Sequence, residues 1–380
     1  MIRTRDSSDM GFARKFWQVN WALVLLITAI ASIGFAMLYS AANGNISPWA
    51  SKQMVVFSAG LVMLLVIAVI DIRFWLRYAY VFYALTLGLL VYVEFFGTEI
   101  NHAQRWIKIG QQFQLQPSEF MKITLIMVLA RYFHRMNIED IARPHFLIVP
   151  LLLIAAPVLL IQRQPDLGTA LFLVITGGAM FFLAGVRIWK FVVVLTAGAA
   201  ALPIAWPFLL DYQKDRILTF LSSDVDPLKE GYHIMQSKIA LGSGGLFGRG
   251  FMEGTQSHLK FLPERQTDFI FTMLAEEFGL VGGLGLLGLY ALLLLYGLSI
   301  ALRSQNQFGR LLAMGVVVVF FLYAFINIAM VMGLIPVVGL PLPLISFGGT
   351  AMITVLAGFG FLICVSVHRH VRVSRHGEGG

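Results

Sequence analysis

Ten apolar runs of roughly twenty residues divide this chain, and they constrain its fold more than any motif does. They cover about residues 21–40, 53–70, 78–96, 119–136, 146–162, 166–184, 189–210, 268–302, 310–334 and 345–367. As helices rising about 1.5 Å per residue, runs of this length cross the ~30 Å hydrocarbon layer of a bilayer. The apolar strands of a soluble α/β protein are far shorter, about four to eight residues. Composition agrees: 58% of residues are apolar, 13% are charged, and 36 Gly and 31 Phe suit membrane helices. The pattern predicts an all-α, polytopic integral membrane protein with about ten transmembrane helices. It forms one membrane domain over residues 1–380, with polar tails at 1–18 and 368–380 and one long connection at 211–267. The eighth run exceeds one crossing, so it projects beyond the bilayer or bends near Gly282-Gly283 or Gly288. The first run lacks a cleavage site and is followed by nine more, which argues against a signal peptide.

The net charge of +8 invites a nucleic-acid reading, and its placement excludes one. Sixteen of the 28 Lys and Arg residues fall on one set of sides: the two tails and the connections holding Arg73, Arg131, Arg187 and Arg303. The opposite short connections hold four, namely Lys52, Arg105, Lys108 and Arg163. Short cytoplasmic connections carry the excess of positive charge. Both tails are therefore expected in the cytoplasm, with residues 211–267 and Asp268 on the outer face. The single cysteine, Cys364, lies in an apolar run and supports neither a disulfide framework nor a metal cluster.

Several polar segments interrupt the hydrocarbon pattern. In the outer connection 97–118, Arg105, Trp106 and Lys108 alternate cationic and apolar groups. Trp106 suits an interface anchor, and Arg105 suits an anionic head group. Pro117-Ser118-Glu119 reads as a helix start, with Lys122 three residues after Glu119 on the same face. An unpaired Lys inside hydrocarbon is costly. Two readings stay open, a pair that fixes helix packing or a pair that lines a substrate cavity. Asp166 opens the sixth span, either as a cap alone or as a carboxylate directed into an outer cavity.

The long connection predicts a short interfacial helix over 215–221, a turn at 224–227 and a helix over 232–241. A flexible stretch from Gly242 to Gly250 follows, expected to act as a mobile cover. It lacks the Gly-Lys-Ser/Thr ending of a nucleotide phosphate loop. Arg249, Lys260 and Arg265 are candidates for phosphate contacts, and isolated His233 and His258 give little reason to expect a metal. Thr267 is a candidate N-cap that would place Asp268 in the first turn of the eighth helix. There, dipole stabilisation alone would account for an acid. Pro336, Pro341 and Pro343 rule out a regular helix between Gly333 and Gly349. Irregular backbone at membrane depth has to be buried in protein or line a cavity, so this segment reads as re-entrant.

Five motifs in order, Arg105-Trp-Ile107, Gln116-Pro-Ser-Glu-Phe-Met-Lys122, Gln164-Pro-Asp-Leu-Gly-Thr169, Leu262-Pro-Glu-Arg-Gln-Thr-Asp-Phe-Ile-Phe271 with Ala275-Glu-Glu-Phe-Gly279, and Gly339-Leu-Pro-Leu-Pro-Leu-Ile-Ser-Phe-Gly-Gly349, together resemble the SEDS family (shape, elongation, division and sporulation). The likeness spans about residues 15–370 and favours the elongation branch over the division branch. Phe347 stands where a Tyr is common. The resemblance implies the SEDS fold in the bacterial cytoplasmic (inner) membrane and a peptidoglycan glycosyltransferase that polymerises lipid II into glycan strands. It maps the family's essential Asp onto Asp268 and its polar core onto Arg105, Glu119, Lys122 and Asp166. The partners it implies are a class B penicillin-binding protein, which is a transpeptidase of the PBP2 type, and the MreB, MreC and MreD elongation complex. Undecaprenyl-linked glycan is the donor.

Joining an α-linked diphosphate donor to a sugar hydroxyl with a β-1,4 product needs one inverting displacement, hence one base, for which Asp268 is the candidate. The leaving diphosphate needs cations: Arg105 first, then Lys108, Lys260 and Arg265. A divalent cation, Mg2+ or Mn2+, bridging Asp268 and the diphosphate fits the chemistry, although no ligand cluster calls for it. Two other readings use the same residues, a lipid II flippase with a polar path through Glu119, Lys122, Glu276 and Glu277, and a non-catalytic scaffold.

Overall fold

The computed structural model describes residues 12–371, apart from 101–102, 111–112, 142, 256–263 and all of 209–229 but 214 and 218. The expected helix over 215–221 and the turn at 224–227 lie outside the described residues. Along the chain run α1 (Phe12–Trp17), α2 (Trp21–Ala41), α3 (Trp49–Val69), α4 (Ile72–Phe96), α5 (Pro117–His134), α6 (Ile138–Ile141) and α7 (Ile148–Arg163). They are followed by α8 (Leu167–Ala184), α9 (Ile188–Ala205), α10 (Glu230–Ser243), α11 (Ile270–Arg303), α12 (Gln307–Val331) and α13 (Gly349–Val367). Eight spans, α2, α3, α4, α7 together with the 3-10 turn Pro144–Leu147 that leads into it, α8, α11, α12 and α13, are long and apolar enough to cross a membrane. The other two expected spans are also helices. The apolar stretch of α9 is shorter, and α5 carries Glu119, Lys122 and Arg131. The protein is a mostly α-helical, multi-pass membrane protein.

The charges of α5 explain its position. It is the central helix, buried throughout Met121–Ala130, and it packs against α4, α7, α8, α12 and α13. A helix with an ionisable pair inside hydrocarbon faces protein rather than lipid. By contrast α9 turns most of its surface outward, with Val194 and Leu195 about 70% exposed, as a peripheral lipid-facing helix would.

The connection after α4 adds a small sheet to the all-helical expectation. β1 (Thr98–Ile100), β2 (Ala103–Ile109) and β3 (Phe113–Leu115) pair antiparallel in that order, with Thr98 opposite Trp106 and Ile107 opposite Leu115. The sheet is tied to the start of α13, where the Thr350 hydroxyl donates to Gln114 O at 2.9 Å and accepts from Gln116 N at 3.2 Å.

The long helix α11 breaks at Gly279 (φ 67°, ψ −163°), earlier than the predicted Gly282-Gly283 or Gly288. Only glycine adopts that conformation readily. The Gly-rich stretch after α10 fills the break, and so the expected mobile cover is a docked plug. Arg249 N and Gly250 N donate to the carbonyls of Glu276 and Glu277, both at 3.1 Å. Leu280 N and Val281 N donate to Gly245 O and Leu246 O at 2.9 and 3.1 Å. Orphaned backbone groups at membrane depth are expensive, and here each strand of the break satisfies the other. At Gly248 a Cβ would sit 2.1 Å from Glu277 O, so no other residue fits.

Residues 332–348 form no helix, as the prolines predict. The segment dips into the bundle. A Cβ on Gly34, in the body of α2, would lie 2.8 Å from Ile345 Cα, and the Tyr290 hydroxyl of α11 donates to Pro343 O at 2.6 Å.

Candidate active site

Asp268 lies in a turn over 264–269 that precedes α11, which begins at Ile270 with Phe269 in the cap position. Thr267 is therefore not the N-cap. Its hydroxyl donates back to Glu264 O at 3.1 Å and to Glu264 Oε2 at 3.0 Å, closing the turn on itself. The turn is sewn to the re-entrant segment. Phe347 N donates to Gln266 O at 2.8 Å, and the Ser346 hydroxyl donates to Thr267 O at 2.5 Å while accepting from Leu342 N at 2.8 Å. The Asn327 amide donates to Asp268 O at 2.9 Å and to Leu340 O at 2.7 Å. The backbone on both sides of Asp268 is thus held, and its half-buried side chain faces Gly339. A Cβ on Gly339 would come within 3.5 Å of Asp268 Oδ2, and its φ of +77° also favours glycine.

The predicted pair on α5 is present and closed. Lys122 Nζ donates to Glu119 Oε1 at 2.6 Å and to the Tyr323 hydroxyl at 2.6 Å, and that hydroxyl donates to Glu119 Oε2. Lys122 also lies 4.8 and 4.4 Å from the ring centroids of Phe172 and Tyr323. Asp166 caps α8, accepting from Thr169 N and Thr169 Oγ1, both at 3.0 Å. It also pairs with Arg105 at 3.4 Å. Arg105 in addition donates from Nε to Gln164 O at 2.9 Å and from Nη2 to Pro165 O. The strand β2 is thereby clamped to the α7–α8 turn.

These groups converge through α12 and the re-entrant segment. Tyr323 and Asn327 are four residues apart on one face of α12. One holds the Glu119–Lys122 pair and the other holds the Asp268 backbone. The Asp166 carboxylate lies within electrostatic range of the Tyr323 hydroxyl, and Gly168, two residues on, packs against Val338 next to Gly339. Neither Tyr323 nor Asn327 was a sequence candidate. The available signal was their polarity inside an otherwise apolar span.

The other cations are less concentrated. Lys108 is exposed on β2, three residues from Arg105 and so on the opposite face of the strand. Arg265 is buried at 8% exposure, and burial draws its guanidinium below its usual pKa. Lys260 and His258 lie outside the described residues. Arg249 sits at the Gly279 break, donating to Thr255 Oγ1 at 2.9 Å, roughly a dozen ångströms along the helix from Asp268 at about 1.5 Å per residue. Among the described residues no group of three or more His, Cys, Asp or Glu side chains is placed to hold a metal ion. Asp268 offers one carboxylate, which serves Mg2+ or Mn2+ only when substrate oxygens complete the shell.

A many-helix membrane protein with buried ionisable groups beneath an irregular, proline-rich backbone segment is the class that this fold and site define. Residues 16–371 match the FtsW/RodA/SpoVE family, described as cell cycle proteins, and the chain belongs to that family. It is 43% identical to peptidoglycan glycosyltransferase MrdB of Escherichia coli (strain K12) over 369 residues, covering 95% of this chain and 98% of the relative. To peptidoglycan glycosyltransferase RodA of Treponema pallidum it is 33% identical, covering 92% and 98%. Its fold matches a chain of a peptidoglycan synthase complex that coordinates polymerization and crosslinking (TM-score 0.81, 34% identity, 93% and 98% covered). It also matches Thermus thermophilus rod shape determining protein RodA (TM-score 0.69, 31% identity, 93% and 98% covered).

Proposed function

We propose that this chain, a peptidoglycan glycosyltransferase of the SEDS family, polymerises lipid II on the outer face of the bacterial inner membrane with Asp268 as general base. The observation that carries the reading is the fixation of Asp268. Its backbone is held by Asn327, and the preceding carbonyls of Gln266 and Thr267 are held by Phe347 and Ser346. A carboxylate held in place at a helix entrance meets the geometric demand on a base, which has to reach the proton it removes. Asp268 takes the proton of the 4-hydroxyl of the incoming sugar as that oxygen attacks the anomeric carbon of the lipid-linked strand. The diphosphate leaves from the opposite face, so the configuration inverts without a sugar–enzyme intermediate. Arg105 supplies positive charge toward the leaving group, with Lys108, Lys260 and Arg265 as further cations. Glu119, Lys122 and Asp166 hold the walls. A divalent cation, when bound, would add charge neutralisation, with Asp268 as its protein ligand.

Charge placement supports cytoplasmic tails and an outward Asp268. The likeness to a chain of a polymerizing and crosslinking complex supports a crosslinking partner, and the family resemblance implies that this partner is of the class B penicillin-binding type, within an elongation assembly containing MreB, MreC and MreD. The deciding experiment is polymerisation of purified lipid II by the purified protein and its partner. Wild type is expected to make glycan strands, and Asp268→Ala, folded and still partner-bound, none. An equally active variant would remove Asp268 as the base. Transfer of lipid II across vesicle walls with no strand formed would favour the flippase.

A further inference from the structure

The outer half of α12 is buried except along a single line. From Val319 to Met332 only Phe321, Phe325 and Met332 are exposed, at 46%, 54% and 40%. At 3.6 residues per turn the three fall within about 40° of one another around the helix. The two phenylalanine rings stack with centroids 5.5 Å apart. The line rises about 16 Å along the axis, half of the ~30 Å hydrocarbon layer, in the half nearer the re-entrant segment. A helix that met lipid broadly would expose a wide face, as α9 does. One exposed row among buried ones is the floor of a narrow groove.

The row ends at a cation. Lys238 of α10 is exposed, and its stem lies over Gly333, the residue after Met332. A Cβ on Gly333 would sit 2.3 Å from Lys238 Cε and 2.7 Å from its Nζ. Lys238 makes no hydrogen bond or ion pair among the described residues. Its helix is nevertheless fixed beside the site. Ser237 Oγ lies 2.7 Å from Thr272 Oγ1, one turn of α11 beyond Asp268, and donates to Val331 O at 2.8 Å. The re-entrant segment stands between Lys238 and Arg105. Gly333 carries Lys238 at its start. Val338 packs on Gly168, two residues from the Asp166 that pairs with Arg105, and Gly339 faces Asp268.

An apolar row rising to an unmatched ammonium has the two-part chemistry of a lipid diphosphate, for which lysine serves as a point charge. Polymerisation brings two such lipids to Asp268. The donor's diphosphate leaves, and the acceptor's stays on the new reducing end. Like charges repel, so each needs its own cation. We propose that Lys238 binds the acceptor's diphosphate, with the prenyl chain along Phe321, Phe325 and Met332, while Arg105 faces the departing one. This deepens the polymerisation reading and rests on it. Lys238 binds and orients, and it takes no part in bond making.

The test uses the full chain in nanodiscs of zwitterionic lipid, with farnesyl diphosphate and inorganic diphosphate as probes. Wild type is expected to bind two farnesyl diphosphates per chain, each at least tenfold more tightly than inorganic diphosphate. Lys238→Gln should bind one, and Lys238→Arg two. Phe325→Asp should weaken farnesyl diphosphate at least fivefold at the Lys238-dependent site and leave inorganic diphosphate unchanged. In elongation of a preformed lipid-linked glycan, Lys238→Gln should raise KM for lipid II about tenfold, with kcat and KM for the glycan donor within twofold of wild type. One site in wild type, two in Lys238→Gln, or a KM change confined to the donor overturns the proposal. Equal binding of the two probes by wild type also overturns it, and that comparison needs no variant to fold. Displacement from the Lys238-dependent site by equimolar phosphatidylglycerol overturns it too, assigning the groove to a phospholipid. Lys238-dependent binding without any strand formation by wild type would keep the site and reject the polymerisation reading.

Discussion

The pair Glu119–Lys122 and the pair Arg105–Asp166 join the same kinds of charge under opposite conditions. Lys122 and Glu119 have side chains 0% and 4% exposed and meet at 2.6 Å. Tyr323 completes a closed triangle with them. Arg105 and Asp166 are 28% and 10% exposed, sit 3.4 Å apart, and divide their remaining bonds between main-chain carbonyls and a helix cap. The first pair cannot open without stranding a charge in a dry interior. The second has solvent at its side and can exchange partners when a substrate arrives. Under the proposed function, the difference gives stability chiefly to the first pair and leaves Arg105 of the second within reach of substrate.

The largest effect is expected from breaking the closed pair on one side. Lys122→Ala leaves Glu119 buried with only the Tyr323 hydroxyl, and removal of one partner of a buried pair costs about 3–5 kcal/mol. The double variant Glu119→Gln/Lys122→Met removes both charges and should recover most of that loss, because the pair's net contribution is small once desolvation is counted. Thermal unfolding in detergent reads both. A Lys122→Ala protein melting with wild type would mean that water reaches the triangle, and the contrast between the pairs would collapse.

Tyr323→Phe sharpens the contrast without touching a charge. It keeps the ring over Lys122 and Phe172 but deletes the hydroxyl shared by Glu119 and Lys122, for an expected loss of about 1–3 kcal/mol. If the tyrosine only packs, the melting temperature will not move. The open pair should behave differently again. Arg105→Lys keeps the charge and loses the fork that grips Gln164 and Pro165, and Asp166→Asn keeps an equally good cap while removing the charge. Both should change stability by no more than about 1 kcal/mol and lower polymerisation about tenfold or more. A stability loss as large as that of Lys122→Ala would show that the open pair is structural as well.

The same division describes what could be read from the sequence. The spans, the Glu119–Lys122 spacing, the Asp166 cap and the proline-broken segment were legible, because hydrocarbon, helix geometry and the missing N–H of proline act locally. The break in α11 was legible only as an excess of length. Gly279, Gly282, Gly283 and Gly288 look alike as sequence. The choice falls on Gly279 because the turn at Gly245–Gly250 supplies the hydrogen bonds that the break leaves open. As sequence the Gly-rich stretch reads as a mobile cover for the same reason, since its partner is distant along the chain. Tyr323 and Asn327 were missed because a tyrosine and an asparagine in an apolar run name no partner until α5 and the 264–269 turn are packed against them.

His368, just past the end of α13, supplies the smallest and most separable effect, since it solves burial by a third route. It is 1% exposed, and its Nδ1–H faces Cys364 O at 3.0 Å. Nε2 is buried without a partner among the described residues. Burial lowers its pKa, against the Cys364 carbonyl and Asp71, which raise it, and with Lys15 and Arg73, which lower it further. The closed pair keeps its charges by matching them, whereas this imidazole stays neutral. Its folded pKa is below the unfolded value of about 6.5, so the unfolded chain binds the proton first as pH falls. The stabilisation is therefore full above pH ~6.5 and declines below it, by at most about 1.4 kcal/mol per pH unit, until the lower folded pKa is passed. Melting curves at pH 7.5 and 5.5 should show a fall for wild type and a smaller one for His368→Gln. Equal slopes would mean that the ring takes up its proton in the folded state as easily as in water, and burial without a counter-charge would then carry no penalty at this end of the bundle.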